Sequence, residues 1–348
     1  MALADLLASN PEIPGVIVLV RRGTSEASGQ AGFADRERRR PISAGHAFRI
    51  ASNTKTFVAA TTMSLVAERR MAIDDPIGDM LPAEVRDLLR RRYDLGAITV
   101  RMLLQHTSGI ASHDTGSHDG TSSPFLAAAK ADPQRRWTAI EQIEFSVDRF
   151  EPSFPPGHAM AYSDSGYVVL GQVVEVVSGE ALHRAVRRHC RFETLGLSHT
   201  WWDRLEEPAI GTPRARVYIG EEDWEAVDCS IDLYGGGGLV STVADLATWW
   251  RALFHGEVIP QPALGMMLAP LAPSPESHGD AGLGLFRRKL AGRWWWTHSG
   301  YWGSIVLCDP DTDVILVAFR NQAEVRTVAI EPTLRNILDL AIPRTGRT

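Results

Sequence analysis

Cysteine, lysine and long apolar runs are all scarce in this sequence, and each scarcity excludes something. The three cysteines in 348 residues, Cys190, Cys229 and Cys308, show no CxxC spacing. They support neither a disulfide framework nor a cysteine metal site, and read as buried free thiols in a reducing compartment. No stretch approaches the apolar length of a membrane span, and Met1–Asn10 lacks the cationic start and apolar run of a signal peptide. A cytoplasmic protein with no membrane partner is therefore expected. Positive charge is not in excess either. A formal charge of −6 and a pI near 6.0 argue against a nucleic-acid partner, which needs a basic footprint. The arginines between Arg36 and Arg40 and the trio Arg90, Arg91 and Arg92 read as solvated faces.

What is present is a globular composition, 44% hydrophobic and 22% charged, long enough for one large domain or two lobes. Gly15–Arg21 reads as a strand and Phe48–Ala51 as a short one. Phe57–Ala67 is apolar on nearly every face, the pattern of a buried helix, with Ser52 at the expected N-cap. The middle of the chain carries helical spacing over Val100–Gln105, Ala139–Val147, Tyr167–Val177 and Ala181–His189, and again over Val243–Phe254. Strands return over Leu283–Phe286, Arg293–Thr297, Ser304–Leu307 and Val314–Phe319, with Asp309-Pro310-Asp311 as a turn and Ala329–Leu340 as a closing helix. The expected fold class is α+β: one antiparallel sheet built from both chain ends and flanked by helices, with an inserted, mostly helical lobe. A single catalytic domain over residues 1–348 is expected, its α/β lobe near 1–70 and 235–348 and its helical lobe near 71–234.

Lysine scarcity carries the first chemical clue. Only Lys55, Lys130 and Lys289 are lysines among 36 cationic residues; elsewhere the chain uses arginine. Ser52-Asn53-Thr54-Lys55 puts one of the three at the head of the apolar helix. Residues three apart share a helix face, so Lys55 lies beside the Ser52 hydroxyl. A serine needs a neighbouring base, and a lysine, unlike an arginine, can lose its proton. A second element is Tyr162-Ser163-Asp164, after Pro155-Pro156-Gly157. A tyrosine held against a lysine ammonium can titrate low enough to shuttle protons. A third is His298-Ser299-Gly300, closing the strand Trp294-Trp295-Trp296-Thr297, where glycine lets a substrate lie against the strand. The second and third elements are weak alone. Loop tyrosines usually pack, and strand ends are common.

In this order the three elements resemble the serine β-lactamase-like family: class C β-lactamases, DD-carboxypeptidases, and related esterases, amidases and D-aminopeptidases. Leu103-Leu104-Gln105-His106-Thr107-Ser108-Gly109-Ile110, Gly237–Thr242 and Gly282-Leu283-Gly284 resemble it too, so the likeness runs from about Gly15 to Asn321. The resemblance implies a β-lactamase/DD-peptidase-like fold and no cofactor. Ser52 would be acylated, with Lys55 and Tyr162 as its general base and acid. The backbone N–H groups of Ser52 and Tyr301 would form the oxyanion hole. His298, Ser299 and Gly300 would bind substrate.

The sequence departs from the family at two places. Asp164 stands where Asn is usual, and either pairs with Lys55, favouring its ammonium form, or anchors a cationic substrate group; the second is favoured. His298 in place of lysine makes a weaker, pH-dependent anion anchor. Trp302 and Tyr234 are candidates for an apolar acyl pocket; the other tryptophans read as core. His113, Asp114, His118 and Asp119 match no closed metal site and read as a solvated loop at the cleft rim. His106 reads as structural, binding backbone at a turn. The expected function is a serine hydrolase acting on a small-molecule amide or ester through acyl-Ser52. One rival is an acyltransferase that passes the acyl group to an amine or alcohol acceptor. The other is a non-catalytic ligand-binding relative, against which the intact Ser52, Lys55 and Tyr162 argue. Oligomeric state is left open.

Overall fold

The computed structural model describes residues 10–114, 123–269, 272–273, 279–323 and 332–338. An eight-stranded antiparallel sheet dominates it. In spatial order its strands are Arg40–Pro41, Ser25–Asp35, Gly15–Arg22, Val314–Arg320, Ser304–Asp309, Arg293–Ser299, Phe286–Leu290 and Asp280–Ala281. The chain's first long strand thus pairs with its last, Val18 opposite Ala318, which joins the two ends as expected.

Side-chain alternation sorts this sheet onto two cores. Val16, Val18, Leu316 and Ala318 face one side, where Leu334 and Leu338 cover them. Ile17, Leu19, Val317 and Phe319 face the other and join one continuous core with the helices. The helix Thr54–Ala67 runs through that larger core, and eleven of its fourteen residues are buried. This is why its sequence shows no polar face. Around it pack Asp164–Ser178, Leu182–His189 and Val243–Phe254.

The structure adds elements that the periodicity did not announce. Ser25–Asp35, rich in Gly, Ser and Ala, is a long strand held by pairing to Gly15–Arg22. The Leu283–Phe286 strand expected from sequence is displaced: Phe286–Leu290 is the strand, and Gly282–Leu285 makes a tight turn closed by Gly282 N–H donating to Leu285 O at 2.9 Å. The closing helix is described only over 332–338. Cys190, Cys229 and Cys308 are buried free thiols, as expected. Trp294 is the exception among the tryptophans, exposed with the Arg287 guanidinium 4.9 Å from its ring. Among the described residues no helix is long and apolar enough to cross a membrane.

Candidate active site

Ser52 is not the N-cap that the sequence suggested. It lies in a single 3-10 turn, Ala51–Asn53, ahead of the long helix, whose N-cap is Asn53. The turn follows directly from the short strand Phe48–Arg49, and Ala51 adopts φ +47°, a left-handed conformation rare for a residue with a side chain. The kink aims the Ser52 hydroxyl at Lys55. Lys55 Nζ, fully buried, donates to Ser52 Oγ at 3.0 Å, to Gly236 O at 2.5 Å and to Asp164 Oδ1.

Gly236 O and the ionised Asp164 carboxylate can only accept, so they take two protons of the lysine whether it is an amine or an ammonium. The remaining direction points at Ser52. It carries a proton in the ammonium and the lone pair in the amine. The arrangement can therefore receive the serine proton without moving an atom.

Asp164 opens the helix Asp164–Ser178, capped by Ser163 Oγ, which accepts from Gly166 N–H at 2.9 Å. Burial pushes the Asp164 carboxyl up, but the Lys55 ammonium, together with His113 and a hydrogen bond from Asp114, holds the group below the usual carboxylate range. Its carboxylate engages Lys55, the first of the two roles the sequence left open, and also borders the cavity above Ser52. Tyr162 brings a correction. Its hydroxyl is hydrogen-bonded to Ser52 and its ring lies 5.0 Å from Lys55 Nζ. Yet burial, with the Asp164 charge beside it, pushes the phenol well above its usual value. The low-titrating tyrosine expected beside a lysine is not found: burial and that charge keep Tyr162 a phenol.

The third element is locked to the first by a missing side chain. A Cβ on Gly300 would fall 2.1 Å from Ile50 O and 2.4 Å from Ser304 Oγ. With no side chain there, Ser304 Oγ donates to Ile50 O at 2.8 Å and accepts from Asn53 Nδ2 at 2.9 Å. The turn carrying Tyr301 is thereby fastened to the turn carrying Ser52. His298 is buried, its Nδ1–H donating to Ser299 O at 2.8 Å and its ring packed edge-on against Phe286. Neither His298, Ser299 nor Gly300 lines the cavity above Ser52. Tyr234 is not on the wall either; its hydroxyl donates to Trp137 O at 2.8 Å. Trp302 is, as expected.

The cavity has an acidic side and an apolar side. Asp114, Asp164 and Asp232 border it with Ser52, and Phe125, Leu126, Ile231, Leu233 and Trp302 make its apolar part, with Tyr301 also on the wall. No lysine or arginine is on the described wall. Asp232 accepts from Trp302 Nε1 at 3.3 Å, and burial pushes its carboxyl up to about 7. His113 is not on a solvated loop, whereas Asp114 is exposed at the cavity rim as expected. His113 is buried, its Nδ1 3.0 Å from Ser165 Oγ, and burial lowers its ring to about 4, keeping it neutral. Asp114 accepts from Ser112 Oγ at 2.5 Å on the cavity wall. His118 and Asp119 lie outside the described residues. Sequence reasoning missed Asp232 and the apolar wall. Ser230-Ile231-Asp232-Leu233 has no motif, and only its place beside Gly235–Gly238 could have drawn attention to it.

A family model described as beta-lactamase matches residues 3–338. The chain belongs to the beta-lactamase family. Its fold is that of a D-stereospecific amidohydrolase from Streptomyces sp., 30% identical with a TM-score of 0.79 over 92% of this chain and 93% of that one. The D-amino acid amidase of Ochrobactrum anthropi SV3 is similar at 26% identity, with a TM-score of 0.81 over 98% of this chain and 99% of that one. Esterase EstB of Burkholderia gladioli is 32% identical over 181 residues, 50% of this chain and 43% of its own length. The chain spans between 43% and 63% of the length of such curated relatives.

Proposed function

We propose that the protein hydrolyses a small amide or ester through an acyl-Ser52 intermediate, and that its substrate carries an amine and an apolar side group. The observation that carries this reading is the cavity where Ser52, backed by Lys55, meets Asp232, the aspartate not engaged with Lys55 or Asp164, and an apolar wall. Lys55, once its ammonium has given one proton to water, takes the Ser52 proton as the amine while Oγ bonds to the substrate carbonyl carbon. The oxygen that becomes anionic lies between the N–H groups of Ser52 and Tyr301. Tyr162, a phenol, hands its proton to the leaving nitrogen or oxygen, and the proton held by Lys55 replaces it. Water then attacks the acyl-serine ester and releases the acid.

Asp164 is engaged by Lys55 and is hydrogen-bonded to Asp114, so Asp232 is left to pair with a substrate ammonium, and the aromatic and aliphatic wall takes the side group. The amidases that this chain resembles in fold and sequence support an amino-acid amide as the substrate. A panel of amino-acid amides, esters and β-lactams, followed by intact-mass spectrometry, tests this. Mass should add to the one peptide that contains Ser52. Labelling that survives Ser52→Ala would refute the assignment, and turnover confined to substrates without an amine would refute the substrate class.

A further inference from the structure

Tyr162 is held from three sides by one residue, His106. His106 follows the short helix Val100–Leu104 and adopts φ +59°, where glycine or asparagine would sit with less strain. Its carbonyl accepts from Ala161 N–H at 3.0 Å, and its Nδ1 accepts from Ser163 N–H at 3.1 Å. The two backbone amides flanking Tyr162 are thus bound to the same residue. The imidazole then stacks on the Tyr162 ring, centroids 4.4 Å apart at 29°. Behind it the ring meets Tyr167 at 5.0 Å and Phe286 at 6.1 Å.

The neighbouring segment is equally committed. Leu104 O accepts from Tyr167 Oη at 2.8 Å and Gly284 N–H at 3.1 Å, and Thr107 O accepts from Gly157 N–H at 2.8 Å. These bonds fix His106 against the core. His106 in turn fixes the loop.

We propose that His106 is a positioning residue that sets the Tyr162 hydroxyl on Ser52. The proposal rests on the reading of Tyr162 as the proton donor given above. Turn geometry alone would be met by asparagine, whose Oδ1 can also accept the Ser163 N–H. The strained conformation kept with an imidazole is explained by the third contact, the ring face on Tyr162. Removing it lets the phenol tilt, and a displacement near 1 Å at a reacting group costs on the order of a hundredfold in rate.

The test is a double-mutant cycle read by the rate at which Ser52 is acylated by an activated ester, followed by mass spectrometry. His106→Ala should slow acylation about a hundredfold with KM little changed. His106→Asn, which restores the backbone acceptor but not the ring, should fall between His106→Ala and the parent. In a Tyr162→Phe background, His106→Ala should add almost nothing, because its effect passes through the hydroxyl that is gone. An equal loss in both backgrounds would overturn the positioning role and leave the reading of Tyr162 intact. Should Tyr162→Phe alone leave acylation unchanged, that reading fails and the proposal with it. If His106→Ala does not fold, His106→Asn in the two backgrounds makes the same comparison.

Discussion

Asp232 offers a prediction whose sign changes with pH. Its carboxyl is half-buried at the cavity wall, and desolvation there pushes it up to about 7 from an ordinary value of 3.8. Below about pH 4 it is protonated in both folded and unfolded chains and contributes nothing. As pH rises, the unfolded chain ionises first, so stability falls, until about pH 7 the folded protein ionises too. Above that the penalty is constant. Three pKa units correspond to about 4 kcal/mol at most, and partial hydration of the wall reduces this to about 1–3 kcal/mol. Asp232→Asn keeps the shape and removes the charge. It should match the parent near pH 4 and exceed it in stability at pH 8, by about 2 °C of Tm per kcal/mol.

The same change should weaken binding of a cation. Phenethylamine stays charged through pH 8, and its inhibition constant should fall as Asp232 ionises between pH 6 and 8. In Asp232→Asn the constant should be nearly flat with pH and about tenfold or more weaker at pH 8, the scale of a charge-assisted bond. Thermal melts by differential scanning fluorimetry and inhibition assays across pH 4–8 read both arms. A stability gap independent of pH, or a variant less stable at pH 8, would refute the reasoning about burial. Unchanged amine binding would refute Asp232 as the anchor.

Lys55→Arg keeps the positive charge but cannot accept a proton, so Ser52 acylation should fall by several orders of magnitude, nearly as far as in Lys55→Ala. Asp164→Asn leaves the Lys55 ammonium without its buried counter-charge and should cost about 3–5 kcal/mol at neutral pH. The Asp164 carboxyl is held below its ordinary range, so its contribution is present above the unfolded value and lost as pH falls through the folded one. Melts should therefore converge with the parent in acid. In the same variant the pH profile of acylation should shift equally for cationic and neutral substrates, whereas a loss limited to cationic ones would favour Asp164 as an anchor. Gly300→Ala drives a Cβ to 2.1 Å from Ile50 O and should lower stability by about 1–3 kcal/mol. It should also slow Ser52 labelling, because the turns bearing the two N–H donors move apart.

Much of the fold was legible because its signals are local. The Val243–Phe254 helix agrees to the residue with its sequence reading, since Thr242 caps it and its apolar spacing is regular. The turn at Asp309-Pro310-Asp311 separates two strands buried along their whole length. Ser25–Asp35 was not legible because exposed Gly, Ser and Ala carry no alternation; it becomes a strand only by pairing with a neighbour. Ser52 as an N-cap was a reasonable local expectation, overridden by the strained Ala51 turn that aims it at Lys55.

The sequence by itself determined which groups exist at local spacing. Ser52 and Lys55 share a helical turn, Tyr162 and Asp164 enter one helix, and the family follows from their order. Only the tertiary structure decided what those groups are to one another. Asp164 meets Lys55 across the fold, and burial, with the Asp164 charge beside it, keeps Tyr162 a phenol. The pocket is assembled from Asp114, Phe125, Asp232 and Trp302, which lie far apart in the chain. Charge and burial act over a few ångströms of space, and no spacing along a sequence records which distant residues will fall within that range.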